Sequence, residues 1–134
     1  MNLWVQSNET WIQDSVIMKS FRKIELEKLK GEVCYGGIDL ASVSDMTAFS
    51  LMFPPNPDRD YYPDYYIFTS KAYLPHDTIN DSVNSMFYKK CKDLGQLVET
   101  PGNVTDYDFI LKTMLSMRED FVIEKIAYDA YNAT

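Results

Sequence analysis

Apolar and polar positions along the chain follow two rhythms. Stretches 33–40, 46–53, 65–73 and 122–128 are short apolar runs with many β-branched and aromatic side chains, bounded by turn-forming clusters, which predicts four strands. In 77–94 and 107–119 the apolar residues instead recur about once per helical turn. The first of these carries Ile79, Val83, Met86, Phe87 and Cys91 on one face, the second Phe109, Ile110, Met114 and Met117. Asp77 or Thr78 offers the first helix a cap and Gly95 a stop. Residues 97–100 predict a short extended piece, followed by a turn at Pro101-Gly102-Asn103. Pro54, Pro55 and Pro57 exclude a central strand after residue 53 and, with the continuation to Asp64, predict a long hairpin loop.

The beginning of the chain is patterned differently. Ser7, Asn8 and Thr10 supply helix-cap chemistry ahead of Trp11, Ile12, Val16, Ile17 and Phe21 at helical spacing. From 22 to 32 the chain is charged, with Ile24, Leu26 and Leu29 as its large aliphatic positions, and reads as a linker or a short helix. The expected division is a linker segment over 1–30 and the domain proper over 31–134. Three strands in a meander, then helices, then a strand that rejoins by a helical crossover predict an α/β fold. Its mixed sheet has the last strand parallel to its neighbour, with flanking helices.

At 134 residues the chain has room for one core. With 46% hydrophobic and 14% aromatic residues it is not disordered. The net charge of -7 is the wrong sign for a protein that grips nucleic acid through Lys and Arg alone. It leaves open nucleic-acid chemistry in which acids hold a divalent metal, which inverts the local field. Cys34 and Cys91 form no metal-binding spacing and read as reduced thiols of a cytosolic protein. The single His76 argues against a His-rich zinc site and against a Ser-His-Asp triad. No apolar run approaches the ~20 residues that span a bilayer.

Candidate chemistry centres on Asp39 and Asp129. Asp39 lies between Ile38 and Leu40 in an apolar strand, an expensive place for an ionised carboxylate without a partner. Asp129 ends the last strand. If strand 122–128 pairs with strand 33–40, the two acids meet at one end of the sheet and repel unless a cation sits between them. Such a set of oxygen donors suits Mg²⁺ or Mn²⁺, and two such ions can drive phosphodiester cleavage. The competing reading is structural: Asp39 accepts backbone hydrogen bonds in the following turn and Asp129 caps what comes next. Asp45, across the turn, is a third metal candidate or an ordinary turn acid. Ser42, Ser44 and Thr47 either orient water or phosphate or satisfy the turn.

Other polar residues invite plainer readings. Gly36 and Gly37 lack the spacing of a phosphate-binding loop, so they serve a strand bend or a close approach. Glu99, Asp106 and Asp108 read as acids of turns and helix starts. Lys89, Lys90 and Lys92 read as a solvated helix face, with contact to a phosphate backbone as the sharper alternative.

These residues also carry a resemblance. Leu3-Trp4-Val5-Gln6-Ser7 with Trp11, then Cys34-Tyr35-Gly36-Gly37-Ile38-Asp39-Leu40-Ala41-Ser42 with Asp45-Met46-Thr47-Ala48, then Ala127-Tyr128-Asp129-Ala130-Tyr131-Asn132-Ala133 is similar to the large terminase subunit of tailed bacteriophages. The similar region is the start of its C-terminal nuclease domain. The resemblance implies an RNase H-like fold and a Mg²⁺- or Mn²⁺-dependent, two-metal endonuclease that cuts concatemeric double-stranded viral DNA during packaging. It implies that Asp39 and Asp129 are catalytic metal ligands, with Asp45 a less uniform one. It places the family's third core acid beyond residue 134 and the ATPase motifs upstream, so the chain is expected to be a C-terminally truncated fragment with weak or no activity alone. Implied partners are the terminase ATPase domain, the small terminase subunit and the portal protein, in the cytoplasm of a bacterial host and away from membranes. Two alternatives remain. One is a non-catalytic RNase H-like domain that docks a motor partner through the aromatic stretch 61–66 and Trp4 and Trp11. The other is a resolvase or transposase, for which the acidic charge is unfavourable.

Overall fold

The computed structural model describes residues 12–41 and 45–129. Expectations that fall on residues 1–11 (Trp4, Trp11 and the caps at 7–10), on Ser42 and Ser44, and on residues 130–134 lie outside them.

Alternation in the strands builds the sheet's two faces. Strand β1 spans Val33–Asp39, β2 Thr47–Phe53 and β3 Ile67–Pro75. In β2 the odd positions Thr47, Phe49, Leu51 and Phe53 are buried and the even ones half-exposed, the signature of a sheet covered more fully on one face. β1, β2 and β3 form the expected antiparallel meander. Strand β4, Leu97–Thr100, adds to β3 in parallel, and β5, Val122–Tyr128, adds to β1 in parallel. The result is one five-stranded mixed sheet in the order β4-β3-β2-β1-β5. The sheet is larger by one strand than the four expected, because the short extended piece at 97–100 pairs instead of passing as a loop.

The main core lies on the face that receives helix α4, Tyr107–Asp120. Cys34, Phe49, Leu51, Phe53, Ile67 and Tyr73 pack there with Ile110 and Phe121. The Phe53 and Phe121 rings meet edge-on at 5.3 Å, which pins the turn from α4 into β5. Asp106 caps α4 through a 2.9 Å bond from the Phe109 N–H, the helix-start role read from sequence. Leu29, in a 3₁₀ turn over Leu26–Leu29, is fully buried in the same core, with Ile24 and Leu26 packed against it. Within the stretch read as a linker or a short helix, Leu29 is thus a core residue, while most of its neighbours from 22 to 30 stay exposed. Helix α1, Asp14–Ser20, buries no residue.

The helix expected over 77–94 is two helices, α2 His76–Asp81 and α3 Ser85–Asp93. Ser82 is extended, and its hydroxyl accepts from the Asn84 N–H at 3.1 Å, so local side-chain bonding displaces the helix. Pro75, not Asp77 or Thr78, occupies the N-cap. The break divides the apolar face: Ile79 is buried with Leu74 and Leu97, and Tyr88 and Cys91 pack against them, while Val83, Met86 and Phe87 are exposed. Glu99, read as a turn acid, is a β4 residue. Its carboxylate accepts from Lys92 of α3 and pairs with His76 Nδ1 at 2.6 Å, tying α2 and α3 to the sheet.

The long loop after β2 is organised by Arg59, whose side chain is 2% exposed. It donates to the carbonyls of Tyr62 and Tyr65 at 2.9 and 3.1 Å and faces Glu32 at 3.6 Å. The three prolines keep this loop out of the ladder, as the sequence indicates.

Two outcomes test this packing. Leu29→Ala should lower the unfolding free energy by about 2–5 kcal/mol in urea titration, as for a core leucine, whereas a tether position would stay within about 0.5 kcal/mol. Glu99 tests the second cluster. Lys92 first, and then His76, hold its carboxyl below the ordinary value of 4.5. A carboxyl depressed by folding stabilises above its unfolded pKa, and that contribution is lost as pH falls through the folded value. Glu99→Gln should therefore lower the thermal midpoint at pH 7, and the gap to wild type should close in scans taken below pH 4.5.

Candidate functional site

The end of the sheet where β1 and β5 finish holds the two acids singled out in the sequence. β1 and β5 run parallel with Val33 opposite Val122 and Cys34 opposite Ile123. The register then shifts by one residue, so that Tyr35 faces Lys125 and Ile38 faces Tyr128. That bulge passes over Glu124. Because side chains alternate, a one-residue slip exchanges the two faces of a strand. The shift thus carries Asp129 level with Asp39, one step beyond the last paired positions.

Asp39 is exposed, contrary to the expectation of a carboxylate enclosed by apolar neighbours. Ile38 beside it packs against the core, and alternation sends Asp39 to the opposite, open face. The desolvation cost inferred from its chain neighbours does not arise. Asp129 is likewise exposed. Both line a cleft of about 620 Å³ together with Gly37, Ala48, Ser50, Ala127, Ile38 and Tyr128.

The floor of that cleft is made of small side chains from three strands. A Cβ on Gly37 would meet nothing within 4 Å, so its glycine keeps open space and relieves no clash. Gly36 is the opposite case: a Cβ there would come 3.0 Å from Ile126 and 3.3 Å from Phe49, the close approach that the sequence suggested. Ser50 donates to the Ser70 hydroxyl at 2.9 Å across the β2–β3 pair.

The remaining candidates fall elsewhere. Asp45 is exposed beyond the turn and does not line the cleft. Thr47 is fully buried, and its hydroxyl accepts from the Ala41 N–H at 3.1 Å, so it satisfies the turn. Tyr107, which the sequence offered only as the start of a helix, donates its hydroxyl to the Ala41 carbonyl at 2.7 Å. No sequence signal marks that contact. Among the described residues no three His, Cys, Asp or Glu side chains group as a metal cluster. The cleft does fit a hard cation in kind: among the described residues its charged donors are two carboxylates, with no thiol or imidazole beside them.

A second groove, of about 570 Å³, lies toward the opposite end of the sheet between α1 and the loop ahead of β3. Phe21, Arg22, Tyr65, Tyr66 and Phe68 are among its walls. No helix among the described residues is long and apolar enough to cross a membrane.

A solved structure shares this architecture. The crystal structure of the HK97 bacteriophage large terminase matches with a TM-score of 0.60 at 22% identity, over 81% of this chain and 23% of that one. At this identity the likeness speaks to the fold. Protein YmfN of Escherichia coli (strain K12) is 22% identical over 142 residues, covering 100% of this chain and 30% of its own length. The chain therefore spans less than a third of either relative. Residues 1–134, the whole chain, match the family described as the terminase large subunit, endonuclease domain, and the chain belongs to that family.

Proposed function

We propose that this domain is a metal-dependent DNA endonuclease module that cuts concatemeric viral DNA during packaging, with Asp39 and Asp129 as its metal-holding residues. The observation that supports the reading is that Asp39 and Asp129, each one residue past the Ile38–Tyr128 pair of β1 and β5, line one cleft. Family membership supports nuclease chemistry. Mg²⁺ or Mn²⁺ bound there would activate a water and stabilise the leaving oxygen of a phosphodiester. Asp39, ending β1, and Asp129, just past β5, would hold the cation. Gly37, Ala48 and Ala127 keep the floor low enough for a phosphate backbone to approach.

Asp45 is the weaker third member of the donor set, since it stands outside the cleft lining. Two carboxylates are fewer than a pair of ions requires, so cleavage by this chain alone is slow. The substrate is double-stranded DNA, and the net charge of -7 makes a bridging cation the means of approach. In this reading residues 1–30 lead from an ATPase domain. The small terminase subunit and portal protein are assembly partners, all within the cytoplasm of a bacterial host.

One observation favours a second reading, an RNase H-like interaction domain whose acids are structural. Tyr65, Tyr66 and Phe68 are each more than 60% exposed beside the second groove, as for a docking face. The two readings separate on metal. Under the first, millimolar Mn²⁺ raises the thermal midpoint by preferential binding to the folded state, and Asp39→Asn or Asp129→Asn removes the rise. Under the second, Asp39→Asn stabilises the fold and Mn²⁺ does nothing. A matching activity assay should give slow Mn²⁺-dependent nicking of supercoiled plasmid that EDTA and Asp39→Asn abolish. Nicking retained by Asp39→Ala would contradict the assignment.

A further inference from the structure

Asp39 is the last residue of β1 in register with β2, opposite Ala48. Two residues on, Ala41 is 92% buried and both of its backbone polar groups are engaged by side chains. Its N–H donates to Thr47 Oγ1 at 3.1 Å, and its carbonyl accepts from the Tyr107 hydroxyl at 2.7 Å. Thr47 is the first residue of β2, and Tyr107 is the first of α4. One acceptor and one donor thus reach the turn from different elements and close on the two backbone polar groups of Ala41.

The placement of Tyr107 ties the start of the crossover helix to the Asp39 half of the candidate site. α4 has 14 residues and β5 has 7. They are about 21 Å and about 23 Å long, so the chain travels away from the acid end along α4 and returns the same distance along β5. The N-terminus of α4 therefore sits beside the turn after Asp39, and the end of β5 brings Asp129 back to the same place. One hydroxyl fixes the start of α4, the helix that leads into β5, to the turn that follows Asp39.

We propose that Tyr107, with Thr47, is a positioning residue for the candidate metal site: it clamps Ala41 so that the Asp39 carboxylate is held at a fixed separation from Asp129. The proposal rests on the metal-holding role given to the acid pair above. Neither Tyr107 nor Thr47 touches the cation or substrate in this account. They act through the backbone, as outer partners do when they orient metal ligands.

The test uses the full 134-residue chain and Mn²⁺ as the probe, followed by electron paramagnetic resonance of free Mn²⁺. Tyr107→Phe keeps the ring and removes the hydroxyl. It should raise the Mn²⁺ dissociation constant by about tenfold or more. The thermal midpoint should fall by less than about 5 °C. Amide exchange should speed up locally at residues 39–41, with β2 and β3 still protected. Thr47→Val should weaken Mn²⁺ binding in the same way, and Thr47→Ser, which retains the hydroxyl, should restore it. A Tyr107→Phe dissociation constant within about twofold of wild type would overturn the clamp, given the size of such outer-partner effects. So would weaker binding accompanied by loss of protection throughout the sheet, since the hydroxyl would then serve the whole fold. If the unaltered chain binds no Mn²⁺, the acid-pair reading itself fails and the clamp's role toward metal fails with it.

Discussion

Six positions join β1 to β5 in parallel, from Val33 opposite Val122 to Ile38 opposite Tyr128. A parallel pair cannot be closed by a tight turn, so the intervening chain must cross over the sheet, and α4 makes that crossing. The crossing covers one face with Ile110 and Phe121 and leaves the other open at the β1–β5 end. A single bulge at Cys34/Tyr35 then decides which side chains of β5 share a face with those of β1. Without it Asp39 would stand level with Tyr128, and the two acids would be out of step.

The same ladder explains why glycine occupies both central positions of β1. At Gly36 the missing side chain lets Ile126 and Phe49 close over the core face. At Gly37, one residue on and pointing the other way, it leaves the cleft floor open. One strand thus packs on one side and exposes a shallow, acid-lipped cleft on the other. The far end of the sheet does different work: α2 and α3 cover Leu74 and Leu97, held by Glu99 between Lys92 and His76.

Much of this was legible from residue pattern. Alternation and β-branched runs mark the strands of the meander and β5. The crossover logic yields the parallel pairing and hence the meeting of Asp39 with Asp129 at one end. What escaped depends on contacts between residues distant in sequence or on local competition. The four residues of β4 are too few to show periodicity, and they become a strand only because β3 offers an edge. The split at Ser82 follows from side-chain to backbone bonding that an apolar-face count ignores. Asp39 looked enclosed because its chain neighbours are apolar, yet in a strand those neighbours lie on the other face. Leu29 is one of three aliphatic residues in a charged stretch, with Ile24 and Leu26, and only the tertiary fold shows that it fills the core. Tyr107 carries no signal at all: its hydroxyl acts 66 residues away, on Ala41.

In the proposed site Asp39 and Asp129 would share one divalent cation. The most direct measurement is an anomalous difference map from a crystal of this chain soaked in MnCl₂ and collected near the manganese edge. The expected result is a peak between the two carboxylates with Mn–O distances of about 2.1–2.2 Å, close to those of Mg²⁺ sites. Well-ordered Asp39 and Asp129 side chains with no peak between them would contradict it.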